Sequence, residues 1–241
     1  MAAAPSIQAV FCDVGGPIYD DENFVAAVLR AADELRAADG LGPVDRPRFR
    51  SIYDGVRAEQ GGVSLRASIA REFLGSESRK RELHDLTRDY WAHPAGTLYA
   101  DVMPFFSALA GRVKIGILAN QEESVIRSLE RDGLAPYIDV WGVSAVVGFE
   151  KPSPELFTWA LRAAGVAASE AVHIGNRLDT DVRPAAALGL STVWVLRGEA
   201  PTSPTAAQLA EPDIAVWTLD GLADRIFTEL PAARTASAVA S

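Results

Sequence analysis

At 241 residues, with 49% hydrophobic and 23% charged residues, the chain can bury a full globular core and is not of disordered composition. A formal net charge of −9 argues against nucleic acid as a partner, since phosphate backbones are held by clustered Lys and Arg. No stretch approaches the roughly 20 apolar residues that span a bilayer. The start, MAAAPSIQ, lacks the regions of a signal peptide, and the single cysteine, Cys12, excludes an internal disulfide, so the expected setting is the cytoplasm.

The run Ile7, Ala9, Val10, Phe11, Cys12 is short, partly β-branched and bounded by turn residues, which predicts a buried strand with Cys12 packed inside it. It ends on Asp13, with Gly15 and Gly16 close behind. A charge at the end of a buried strand is costly unless paired. Two glycines let the backbone turn so that amides point at a bound anion. The stretch reads as a nucleophilic carboxylate in an anion-binding turn or as an ordinary Asp-x-Gly turn.

Residues 20–38 have helical spacing, with Phe24, Val28, Ala32 and Leu35 on one face, Asp20 and Asp21 to cap the start and Gly40 to stop it. Phe49, Ile52, Tyr53 and Val56 predict a second helix, and Ser64 caps a third carrying Leu65, Ile69 and Phe73. A fourth, over 78–93, carries Leu83, Leu86 and Tyr90 and ends at Pro94. Residues 20–95 thus form an all-helical block. Trp91 and Tyr90 line a cleft or pack within that block, and His84 and His93 have no metal-binding spacing.

From Arg112 onward strands alternate with helices. Val113, Ile115, Ile117 and Leu118 lead to Ala119-Asn120-Gln121, and a helix with Val125, Ile126 and Leu129 follows. A strand within 138–147 leads to Glu150-Lys151-Pro152, and Ser153, Pro154 and Glu155 start the next helix. A strand over 171–174 leads to the turn 175–181, and further strands lie at 192–196 and 214–217. A closing helix spans 220–230, and the small, polar tail 231–241 is expected to be disordered. The alternation predicts a parallel sheet, whose ligands bind at the carboxyl ends of the strands. Four such ends carry Asp13, Asn120, Lys151 and the turn 176–181.

In that order the four segments resemble the motifs of the haloacid dehalogenase-like hydrolases: Asp13-Val14-Gly15, Ala119-Asn120, Glu150-Lys151-Pro152, and Gly175-Asn176 with Asp181. The resemblance implies an α/β fold, with a Rossmann-like doubly wound parallel sheet core (1–19 and 96–230) and an inserted helical cap (20–95). It also implies Asp13 as nucleophile, with Lys151 and Asn120 as its catalytic partners. Gly15, Gly16, Asn120, Gln121 and Arg177 would contact a small anionic substrate. Mg²⁺ would be held by Asp13, the Gly15 carbonyl, Asn176 and Asp181, more weakly than is usual for the family. From the residues alone, Lys151 reads as a surface lysine before a helix, Arg177 as a loop arginine and His173 as a packed core residue, while Asp181 reads equally as an acid at a helix start.

The departures from the family pattern are chemical. Gly15 replaces the second Asp, whose proton transfer contributes about 10² to 10⁴ in rate. Ala119 removes a hydroxyl and Asn176 removes a charge. Three readings follow: a Mg²⁺-dependent phosphatase of small phosphorylated metabolites, a metal-independent hydrolase attacking carbon, or a non-catalytic binder. The sequence does not give the oligomeric state.

Overall fold

The apolar run before Asp13 forms the central strand β1 (Ala9–Cys12), buried along its whole length. The computed structural model describes residues 6–62 and 64–230, and the backbone of the closing helix to Val239. Five further strands lie beside β1: β2 (Lys114–Ala119), β3 (Val140–Val143), β4 (Ala171–Gly175), β5 (Ser191–Val195) and β6 (Ile214–Val216). All pair in parallel, in the order β3-β2-β1-β4-β5-β6.

Alternation along the strands divides the side chains between two apolar layers. Val10, Cys12, Ile115, Ile117, Val172 and Ile174 share one cluster, while Ala9, Phe11 and Leu118 share another with Leu156 and Phe157. Phe11 lies opposite Gly116, where an added Cβ would come within 2.5 Å of its ring.

Between β1 and β2 run α1 (Glu22–Ala38), α2 (Arg46–Glu59), α3 (Leu65–Phe73) and α4 (Lys80–Tyr90). Val28, Phe49, Ile69 and Leu83 belong to an apolar cluster of their own, separate from those of the sheet. The Ser64 side chain accepts from the Ala67 amide and caps α3. Several contacts tie the helical block to the sheet loops, among them two at the end of α2. The Arg57 guanidinium donates to the Ala200 carbonyl at 2.7 and 2.9 Å, and Gln60 Nε2 donates to the Glu199 carbonyl at 2.8 Å.

The remaining helices are α5 (Val102–Leu109), α6 (Ser124–Arg131), α7 (Ser144–Val147), α8 (Pro154–Ala164), α9 (Arg183–Ala187), α10 (Ala206–Leu209) and α11 (Leu222–Val239). The sequence pattern above leaves α5 unassigned, although Val102, Phe105, Phe106 and Leu109 are all buried at helical spacing. The strand expected within 138–147 gives way to α7 after Val143, and Gly148 ends that helix at φ 80°. The tail expected to be disordered, 231–241, lies outside the residues whose side chains are described. No helix among the described residues is long and apolar enough to cross a membrane.

Candidate active site

β1 delivers Asp13 to the carboxyl edge of the sheet at the point where strand order reverses, with β2 on one side and β4 on the other. The Asp13 amide donates to the Ile174 carbonyl at 2.8 Å, which extends the ladder one residue beyond the strand. The side chain lies on a cavity of about 400 Å³. The walls combine Asp13, Gly15, Lys151 and Arg177 from the sheet loops with Phe24, Arg66 and Trp91 from the helical block.

On one flank Asp13 meets a closed set of charges. Lys151 Nζ lies 2.9 Å from Asp13 Oδ1 and 2.5 Å from Asp181 Oδ1. Lys151 is buried rather than a surface lysine; burial opposes its charge, but Asp13 and Asp181 outweigh that and raise its pKa. His173 Nε2 donates to the same Asp181 oxygen at 3.1 Å, and the Arg177 amide donates to Asp181 Oδ2 at 3.1 Å. Burial disfavours the Asp181 charge, yet Lys151 and His173 hold its carboxyl below the usual carboxylate range. A π-helical turn, Leu178–Val182, brings Asp181 back beneath Lys151. Gly175 is needed for this approach, because a Cβ there would lie 2.2 Å from the Asp181 carboxyl carbon.

Three residues expected to contact substrate are engaged with the protein. Asn120 clamps the Lys151 loop, its Nδ2 donating to the Lys151 carbonyl at 2.6 Å and its Oδ1 accepting from the Lys151 amide at 2.7 Å. Gln121 is buried, with Oε1 2.8 Å from His93 Nε2. Arg177 lines the cavity but is held by Asp179 at 2.6 Å and Glu199 at 3.5 Å. Gly16 is buried at φ 84°, and its missing side chain makes room for Asn176, whose Nδ2 would sit 2.0 Å from a Cβ there.

The other flank of Asp13 holds a residue that the sequence pattern assigned to helix capping. Asp20 performs the local turn, its Oδ1 accepting from the Glu22 amide at 2.9 Å. Asp21 occupies the N-cap position of α1 without capping it. Its carboxyl is buried on the cavity wall, 2.6 Å from where a Gly15 Cβ would stand. Gly198, at φ 64°, leaves the space on its far side, since a Cβ there would come within 2.4 Å of Asp21 Oδ2. Asn176 Nδ2 donates to Asp21 at 3.3 Å and to the Arg197 carbonyl at 3.2 Å. Burial, then the charges of Glu199 and Asp13, push the Asp21 pKa well above its ordinary value. Arg197 fixes the turn after Asp13, donating to the Gly16 carbonyl at 2.9 Å and to Asp101 at 2.8 Å. In sequence the signal for Asp21 is a doubled acid at a helix start that needs only one.

Of the groups expected to hold Mg²⁺, Asp181 is already engaged at both oxygens and fully buried, so it serves Lys151 and is not open to a cation. Among the described residues no set of three or more His, Cys, Asp or Glu side chains is placed to hold a metal ion. Asp13, the Gly15 carbonyl and Asn176 remain. Asn176 commits Nδ2 to Asp21 and Arg197, which leaves Oδ1 as its acceptor. These are oxygen donors of the kind Mg²⁺ takes, with one negative charge among them.

Residues 7–189 match the family of haloacid dehalogenase-like hydrolases. The chain is 36% identical to a glyceraldehyde 3-phosphate phosphatase of Methanopyrus kandleri, over 80% of this chain and 85% of that protein. It is 34% identical to a ribulose-1,5-bisphosphate 5-phosphatase of Halopiger xanaduensis, over 90% of this chain and 98% of that protein. Among solved structures, a HAD phosphatase from Thermococcus onnurineus superposes with a TM-score of 0.62 at 24% identity, over 92% of this chain and 99% of that one.

Proposed function

The chain belongs to the haloacid dehalogenase-like hydrolase family, and within it we propose a phosphatase of small phosphorylated metabolites that uses Asp13 as nucleophile and Asp21 as proton carrier. The observation that carries this reading is the pair of carboxyls on one cavity wall, Asp13 beside Lys151 and Asp21 beside the vacant Cβ position of Gly15. The phosphorylated substrates named for its relatives support the same class.

Ionised Asp13 attacks phosphorus, and the ester oxygen leaves with a proton from Asp21. A water then opens the aspartyl phosphate and returns its proton to Asp21, which restores both carboxyls. Lys151 keeps Asp13 aligned and offsets negative charge near the phosphoryl group. Mg²⁺, held by Asp13, the Gly15 carbonyl and Asn176 Oδ1, would neutralise charge on the phosphoryl oxygens. Helices α1–α4 act as the cap that closes the cavity. The lack of an acid at Gly15, beside the changes at Ala119 and Asn176, is one motive for carbon-centred hydrolysis and for a non-catalytic binder. An acid supplied by Asp21 removes that motive.

Steady-state assays of p-nitrophenyl phosphate and of a phosphorylated-metabolite panel, with and without Mg²⁺, test the reading. Wild-type turnover is expected to fall by at least about a thousandfold in Asp13→Asn. Activity that survives this substitution contradicts it.

A further inference from the structure

Arg66 stands on the first turn of α3, on the helical block's side of the cavity. Its guanidinium carbon lies 5.0 Å from the centre of the Phe24 ring. Arg66 is half-buried, and its Nε is a buried donor without a hydrogen-bond partner among the described residues. The other cations of the wall differ. Lys151 is shared between Asp13 and Asp181, Arg177 between Asp179 and Glu199, and Lys80 is exposed at the rim. No ion pair among the described residues includes Arg66. It also borders an adjoining cavity of about 480 Å³.

A guanidinium keeps its charge when desolvated, and a buried unpaired donor is unfavourable until a ligand meets it. Set against an aromatic ring, the guanidinium can still offer in-plane N–H groups, a fork that matches a carboxylate or phosphate. The phosphoryl group to be transferred already has Lys151 and the turn after Asp13. Resting on the phosphatase reading, we infer that Arg66 is a specificity residue that binds a second anionic group of the substrate. The substrate class is then a small phosphate ester bearing a carboxylate or a second phosphate at the end remote from the scissile bond. Neutral-ended esters of the same length would be poorer ligands.

Binding separates this inference from turnover. Titration calorimetry on Asp13→Asn compares 3-phosphoglycerate with glycerol 3-phosphate for the carboxylate, and ribulose 1,5-bisphosphate with ribulose 5-phosphate for the second phosphate. The doubly anionic member of at least one pair is expected to bind about tenfold or more tightly. Adding Arg66→Gln should bring that ratio close to one, and Arg66→Lys should keep part of it. Thermal melts confirm that each variant is folded. Equal affinities within both pairs, no binding at all, or a ratio that survives Arg66→Gln overturns the inference. Wild-type hydrolysis of the same esters reports separately on the phosphatase reading.

Discussion

On one flank of Asp13 every charge has a partner: Lys151 joins two carboxylates, and Asp181 takes its remaining contacts from His173 and the Arg177 amide. On the other flank Asp21 is equally buried, yet its neighbours are one amide group and the negative charges of Glu199 and Asp13. The first arrangement fixes geometry, because a paired buried lysine cannot move without leaving a bare charge. The second leaves a carboxyl with the means to give and take a proton. In the proposed mechanism one flank holds the nucleophile and the other transfers the proton.

Breaking the paired flank should have the largest effect. Lys151→Met leaves Asp181 buried without its cation, so stability should drop by about 3–5 kcal/mol, read by denaturant unfolding. Phosphatase activity should fall with it. A smaller effect is expected at Gly198, where Ala meets both a φ of 64° and Asp21 Oδ2 at 2.4 Å, with the Gly16 Cα at 2.7 Å. Gly198→Ala should cost about 1–3 kcal/mol of stability, read by thermal melts, and should lower kcat more than it raises KM.

The pH profile sharpens the same contrast without a substitution. Burial raises the Asp13 pKa, Lys151 pulls it back and Asp181 adds to the rise, leaving it at about 6. The nucleophile must be ionised and Asp21 protonated, so kcat/KM should fall about tenfold per pH unit as pH drops below this value, and fall again on the alkaline side once Asp21 loses its proton. An acid limb centred near an ordinary aspartate pKa would count against this account of Asp13.

The paired flank was legible in the sequence at Asp13 and Lys151. Asp13 stood out as a charge at the end of an apolar run, and Lys151 preceded a strong helix start. The role of Asp181 was not legible, since a π-helical turn re-aims it toward Lys151 and no spacing rule signals that turn. Asn120 looked like a ligand group, but its amide matches the backbone of Lys151, 31 residues away. The open flank depends on approaches between distant segments. Asp21 meets Asn176 across 155 positions, and Arg197 reaches Gly16 across 181. The parallel alternation was readable from periodicity. The pairing of β1 with β4, which creates the switch point, was not.

The central claim is that Asp21 supplies the acid that Gly15 lacks. The most direct test moves that acid back. Turnover of an alkyl phosphate and of p-nitrophenyl phosphate is measured in wild type, Asp21→Ala, and Asp21→Ala with Gly15→Asp. Asp21→Ala should lower kcat on the alkyl ester by about a hundredfold or more, and on the aryl ester much less, because its leaving group needs little protonation. Removing the Asp21 carboxyl frees the space beside position 15, so adding Gly15→Asp should recover at least about tenfold on the alkyl ester. Alkyl phosphate turnover unchanged in Asp21→Ala, or an equal loss on both esters with no recovery, would contradict the account.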